Sequence, residues 1–220
     1  MRDLTRHFVG GIKGLALLAS LVAGLMMAPK AVTAEEAANP GAADAGVFTG
    51  EIVLGKDDAP VTIIEYASLT CPHCADFHVN VLPTLKEKYI DTGKVKFIMQ
   101  EFPLDGLALR ASMLARCSGE QKVKGFIGIF FEQQNIWAAS EKPLEELARI
   151  TRLGGMSQQS FDACLANESL MKQLVQSRQD GQDKHDIKAT PSFIIDGKTH
   201  SGLSTIEEFD KILKPLLPGA

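Results

Sequence analysis

The stretch VTIIEYASLTCPHCADFH, residues 61–78, joins an extended apolar run to two cysteines three positions apart. Val61 to Ala67 is β-branched and apolar on both faces, the pattern of a central strand covered on each side. Cys74, His78, Val81, Leu85 and Tyr89 then recur at three- and four-residue steps, which predicts an amphipathic helix opening at the cysteines, with a kink expected at Pro83. Asp91-Thr92-Gly93 supplies a turn, and Lys94 to Phe102 (KVKFIMQEF) reads as the next strand. Strand, helix and strand in about 40 residues make a βαβ unit, whose strands run parallel.

Working outward, FTGEIVLG (48–55) reads as a short strand, and the folded part is expected to begin near Val47. Beyond the βαβ unit the period becomes helical from Asp105 to Lys188. Val123, Phe126, Ile127 and Phe130 form one stripe; Leu144, Leu147, Ala148 and Thr151 another, behind Pro143; Leu170, Leu174 and Arg178 a third. So long a segment is no loop; it reads as a helical lobe inserted into an α/β core. The sheet resumes at PSFIIDGKTHSG (191–202), where Asp196-Gly197 signals a hairpin. Ser204 with Glu207 makes a capping box that opens a last helix through Ile206, Phe209, Ile212 and Leu213. The expected organisation is 1–34 signal, 35–46 flexible leader, 47–104 first part of the α/β domain, 105–188 inserted lobe and 189–220 second part.

The signal reading rests on Arg2, Arg6 and Lys13, followed by fifteen apolar residues from Gly14 to Ala28 and the small residues Val32-Thr33-Ala34, which place the cut after Ala34. The apolar run is short of the ~20 residues a membrane span needs, so an uncleaved anchor is the alternative. Removing residues 1–34 takes away four basic residues and one acid and moves the formal charge from −4 to −7. An acidic chain without a basic run argues against nucleic acid as a partner. With 45% hydrophobic residues in 220, the chain can bury one ordinary core, and a monomer is the default state. Export also puts the four cysteines, 71, 74, 117 and 164, where disulfides persist. Their even number permits two bonds.

Cys71 falls at the N-cap of the helix, Pro72 at N1, where its missing N–H costs nothing, and Cys74 at N3. A sulfur at the N-cap meets unpaired N–H groups and the positive end of the helix dipole, and an imidazolium at His73 adds to the effect. The thiolate of Cys71 is therefore favoured, which makes it a good leaving group and stabilises the dithiol over the disulfide. Such a pair is an oxidant, with Cys74 as the resolving thiol. Glu65 shares a strand face with Val61, Ile63 and Ala67. Buried beneath the cysteines it can handle the proton of Cys74; the alternative is a solvated edge glutamate. Two other readings of the pair stay open. A plain staple is one, although closing so short a loop removes little chain entropy. A metal site is the other, because Cys71, Cys74 and His78 lie on one helical face and suit zinc or copper.

Four features together resemble the DsbA family of exported thiol-disulfide oxidoreductases: CPHC at 71–74, an acid six positions before the first cysteine (Glu65), a helical insertion after the βαβ unit, and Thr190-Pro191 opening the next strand. The resemblance covers residues 50 to 216 and implies a thioredoxin-like fold with an inserted helical lobe and no cofactor. It implies a periplasmic enzyme that oxidises reduced exported proteins and is reoxidised by a DsbB-like, quinone-linked membrane partner. It also implies a cis Thr190–Pro191 bond in a loop lying against the cysteines, where it contacts client backbone. Thr190 departs from the Val of well-studied oxidases and is frequent in disulfide isomerases, which makes an isomerase or reductase kept reduced by a membrane donor the alternative. Isomerases of this kind carry a separate dimerisation domain, and residues 35–60 are too few for one. Cys117 and Cys164 are a second departure. Each follows an apolar residue by three on a helix of the lobe and can face its interior, either as buried free thiols or as a structural disulfide, worth about 4 kcal/mol; the oxidising compartment favours the bond.

Overall fold

The computed structural model of the chain describes residues 46–217; the expected signal, and the leader up to residue 45, lie outside them. Five strands form one mixed sheet in the order β1-β3-β2-β4-β5: β1 Ile52–Leu54, β2 Val61–Ala67, β3 Val95–Glu101, β4 Ser192–Ile195 and β5 Lys198–Ser201. β2 sits in the middle, parallel to β3 and antiparallel to β4, with Glu65 opposite Met99 on one side and Phe193 on the other. One face of the strand, Val61, Ile63, Glu65 and Ala67, is buried throughout; on the other, Tyr66 is buried, Ile64 half-buried and Thr62 exposed, so the double-sided cover expected from the sequence holds only toward the strand's end.

Between β2 and β3 the chain is helical from residue 72 to residue 90, beginning with α1 (Pro72–Asp76). It then takes a π turn over Phe77–Val81, α2 (Leu82–Leu85) and a second π turn over Lys86–Ile90. Pro83 has no N–H to give to the preceding turn. The helical run continues through it, and the Leu82 N–H beside it bonds instead to the Phe77 carbonyl, five residues back. Around Pro83 the helix is thus interrupted by a π turn.

Six helices lie between β3 and β4: α3 (Gly106–Cys117), α4 (Glu120–Glu132), α5 (Gln134–Trp137), α6 (Pro143–Leu153), α7 (Gln158–Leu165) and α8 (Glu168–His185). The stripe residues Val123, Phe126, Ile127 and Phe130 of α4, and Leu170 and Leu174 of α8, are buried. α8 comes close to the sheet at Gly181, where a Cβ would stand 2.7 Å from the Tyr66 ring of β2. Asp196 and Gly197 turn the β4–β5 hairpin with φ of 50° and 71°, the paired positive values that a two-residue hairpin of this hand requires.

The last helix, α9 (Ile206–Leu213), opens one residue later than the sequence reading placed it. Thr205, not Ser204, is the N-cap, and its box partner is Glu208, not Glu207. Both frames exist in the sequence, and in the one that forms the box Glu208 Oε2 also collects the Ser204 N–H at 2.9 Å. Phe209 of this helix is fully buried in an aromatic cluster with Phe193 of β4 and Phe77, whose ring centroids lie 5.1 and 5.6 Å away. Phe77 also stacks on Phe97 of β3. One residue of the cysteine-bearing helix is thereby fixed to β3, β4 and α9 at once. Burying each such ring contributes about 1.5–3 kcal/mol, and the cluster sets where the helix start, and its sulfurs, must lie.

Candidate active site: a dithiol at a helix start

Cys71 is the N-cap of α1 in extended conformation (φ −81°, ψ 119°), with Pro72 at N1. The pair is in the dithiol form. Cys71 retains 6% of its exposure and Cys74 none, so only the first sulfur can meet a macromolecular reactant. The loop bearing Cys71 is fixed from both ends. The Cys71 N–H bonds to Ser68 O at 3.0 Å. From the helical segment, the buried amide of Gln134 donates to Leu69 O at 2.8 Å and Cys71 O at 3.0 Å. Thr70 Oγ1 donates to Asp105 Oδ2 at 2.6 Å, and the other oxygen of Asp105 caps α3.

The second loop at the site precedes β4. The Thr190–Pro191 bond is cis, and Cys71 Sγ donates to Thr190 O at 3.2 Å. Thr190 Oγ1 is buried without a hydrogen-bond partner among the described residues.

The two thiols are driven apart. Cys71 is lowered to about 5, chiefly because the Cys74 thiol donates to its thiolate; the Thr190 side chain and the peptide N–H groups of Cys74 and His73 add to this, against the effect of burial. The thiol form accepts no capping hydrogen bond at its sulfur; the helix N–H groups act on the anion. The sequence reading assigned His73 an imidazolium contribution. In the structure that side chain is exposed, and His73 acts on the sulfur through its backbone. Cys74 is pushed up, first by burial, then by its hydrogen bond to Cys71 and by the charge of Glu65.

Glu65 is fully buried, which excludes the solvated edge alternative, and its Oε2 pairs with His78 Nε2 at 2.8 Å. His78 stacks on Phe131 of α4, centroids 4.0 Å apart. His78 is thus engaged by Glu65 and Phe131, and among the described residues no group of three His, Cys, Asp or Glu side chains is arranged to hold a metal ion.

Cys117, at the end of α3, is bonded to Cys164 of α7, with Cα atoms 6.0 Å apart. Beside it Arg116 donates from Nε and Nη2 to both oxygens of buried Glu101, at 2.5 and 2.7 Å. Its Nη1 holds the carbonyls of Phe48 and Gly50. Of the residues expected at the site, Cys71, Cys74, Glu65, Thr190 and Pro191 are brought together, with Pro72 and the exposed side chain of His73 at the rim. Gln134, Asp105 and the pairing of His78 with Glu65 were missed. A lone glutamine or aspartate in a helical segment carries no periodic signal, whereas His78, on the half-buried stripe, carried one that pointed to a ligand.

The family model described as Thioredoxin matches residues 48–215. A candidate protein-disulfide oxidoreductase of Rickettsia bellii is 36% identical over 148 residues, 67% of this chain and 57% of that one. The match thus spans a little over half the length of that relative. A candidate disulfide bond formation protein D of Bacillus anthracis is 31% identical, covering 74% of this chain and 75% of its own. Among solved structures, alpha-DsbA1 of Wolbachia pipientis superposes with a TM-score of 0.70 at 34% identity, over 78% of this chain and 93% of that one.

Proposed function

This chain belongs to the thioredoxin-fold DsbA family, and from that premise we propose that it is an exported dithiol oxidase, working in the periplasm, which donates a Cys71–Cys74 disulfide to reduced client proteins. The observation that carries the reading is the asymmetry of the pair. One thiol is buried but keeps 6% of its exposure and is favoured as an anion; its neighbour is fully sealed and disfavoured as one. A stable leaving thiolate weights the equilibrium toward the dithiol, so the pair tends to give its disulfide away.

In the forward direction a client thiolate attacks Cys71 Sγ, the client–Cys71 bond forms, and the electron pair of the broken Cys71–Cys74 bond goes to Cys74. A second client thiolate then attacks the client sulfur of the mixed disulfide and expels Cys71 as its thiolate. Pro72 presets the helix start, and the N–H of His73 faces the anion. Glu65 handles the proton of Cys74. Thr190 and Pro191 present their loop to the client backbone, and a DsbB-like membrane oxidase restores the disulfide.

The test combines the oxidised protein with a reduced, unfolded client. Client disulfides should form stoichiometrically with loss of the Cys71–Cys74 bond, and Cys71→Ser should form none. Trapping thiols in intact cells separates the roles: an oxidase is found mainly oxidised, and a mainly reduced pair would favour an isomerase or reductase.

A further inference from the structure

The carboxylate beneath the cysteines has one protein partner, and that partner borders a cavity. Glu65 has no exposed surface; Oε2 is paired with His78, while Oε1 is buried without a hydrogen-bond partner among the described residues. Its charge reaches Cys74. His78 lies one helical turn beyond Cys74, with 8% of its side chain exposed. It lines a cavity of about 140 Å3, where Lys124 and Glu132 of α4 also stand and where β1 and β3 present only Ile52, Leu54, Phe97 and Met99. The titratable groups around the pair are therefore Cys71 and Cys74 on the sulfur side and Lys124 and Glu132 on the cavity side.

We propose that His78 is the proton exit of the buried thiol, a positioning residue that holds Glu65 and passes protons between it and the water of this cavity. The proposal rests on the dithiol chemistry above. When a client thiolate breaks the Cys71–Cys74 bond, the electron pair left on Cys74 is out of reach of bulk water. The Glu65 carboxyl gives that sulfur its proton, the His78 imidazolium replaces it through the 2.8 Å contact, and the ring regains one from solvent. In the reverse direction Cys74 loses its proton by the same route as its sulfur attacks Cys71 in the mixed disulfide and the client leaves as a thiolate. An imidazole suits the position because it donates to a carboxylate and, as the neutral ring, accepts from a carboxyl.

The experiment mixes the reduced protein with oxidised glutathione and resolves two phases across pH: attack by Cys71, which depends on glutathione concentration, and displacement by Cys74, which does not. His78→Gln should leave the first phase and the ultraviolet titration of Cys71 unchanged. It should slow the second about 10-fold, a fraction of the ~10²–10⁴ that direct proton transfer contributes, and alter its pH profile. In His78→Ala, added imidazole should restore the second phase. A second phase that keeps its rate and pH profile in His78→Gln, or a first phase slowed equally, overturns the relay. If neither variant folds, the wild-type imidazole signal decides. Its titration midpoint should differ between disulfide and dithiol forms, and equal midpoints overturn the proposal. A wild-type protein that shows neither phase would instead remove the dithiol reading itself.

Discussion

Cys71 Sγ and the carbonyl of Thr190 are joined by a 3.2 Å hydrogen bond across 119 residues of chain. The reactive sulfur is thus held by the loop before β4 as well as by its own helix. The Thr190 hydroxyl has no hydrogen-bond partner among the described residues in the dithiol form, and it is one of the groups that favour the thiolate. Thr190→Val keeps the shape of the side chain and removes that donor. The Cys71 midpoint should therefore rise above about 5, and the dithiol should lose part of its advantage, making the variant a weaker oxidant. Thiolate ultraviolet absorbance and equilibration with glutathione measure the two effects; an unchanged midpoint would show that the hydroxyl does not reach the anion.

The same asymmetry fixes how stability depends on pH. Cys71 is lowered by its surroundings from the ordinary thiol value of 9.0 to about 5. It is an acid with a depressed folded value, so its stabilisation of the reduced protein is full above pH 9.0 and is lost as pH falls to about 5. The disulfide form has no such titration. The reduced protein should thus melt above the oxidised one by a margin that grows from pH 5 to pH 9, checked by paired thermal scans. A margin flat across that window contradicts the assignment.

Gln134 should matter beyond its size. Its amide is the side chain that holds both Leu69 O and Cys71 O, and an apolar replacement leaves two buried carbonyls short of a donor. Gln134→Met is expected to destabilise the protein by about 1–3 kcal/mol and to slow client oxidation by loosening the sulfur's loop. Denaturant unfolding and the oxidation rate test it together; loss of stability alone would make Gln134 a packing residue.

The central βαβ unit was legible because its two periods differ: residues 61–67 read as a strand buried on both faces, and the stripe from Cys74 to Tyr89 as a helix. The hairpin at Asp196-Gly197 was equally plain, since few residues accept positive φ in pairs. The capping frame was ambiguous because Ser204-Thr205 is followed by Glu207-Glu208, and only packing of Phe209 and Leu213 against the core chooses between them. Glu65 and His78 were each noticed, one as a proton handler and the other as a ligand. Their pairing was not, because it joins a strand face to a helix face 13 residues away, and neither period reports what lies opposite. For His73 the sequence reading gave weight to the ring; the side chain is exposed, and the backbone N–H is a second group by which this residue acts on the sulfur.

The Cys117–Cys164 bond closes a 47-residue separation, for which the chain-entropy account gives about 4 kcal/mol. The double variant Cys117→Ala with Cys164→Ala should lose about that much in denaturant unfolding, with Cys71 still titrating near 5. A loss well under 1 kcal/mol would mean that residual structure in the unfolded chain already keeps these helices close.

Glu101 and Arg116 make the most buried ion pair of the described residues, 1% and 6% exposed at their side chains. Three further constraints meet there: the Phe48 and Gly50 carbonyls on Nη1, and Ser177 on the Glu101 carbonyl. Arg116→Met would leave a carboxylate buried without its counter-ion and two carbonyls without their donor, costing about 3–5 kcal/mol. Adding Glu101→Leu removes the stranded charge, so the double variant should be more stable than Arg116→Met alone, because the penalty comes from the orphaned ion more than from the lost attraction. Denaturant midpoints of the two single variants and the double variant close the cycle. If the double variant is the least stable of the three, the pair contributes net attraction, and the desolvation argument fails at this site.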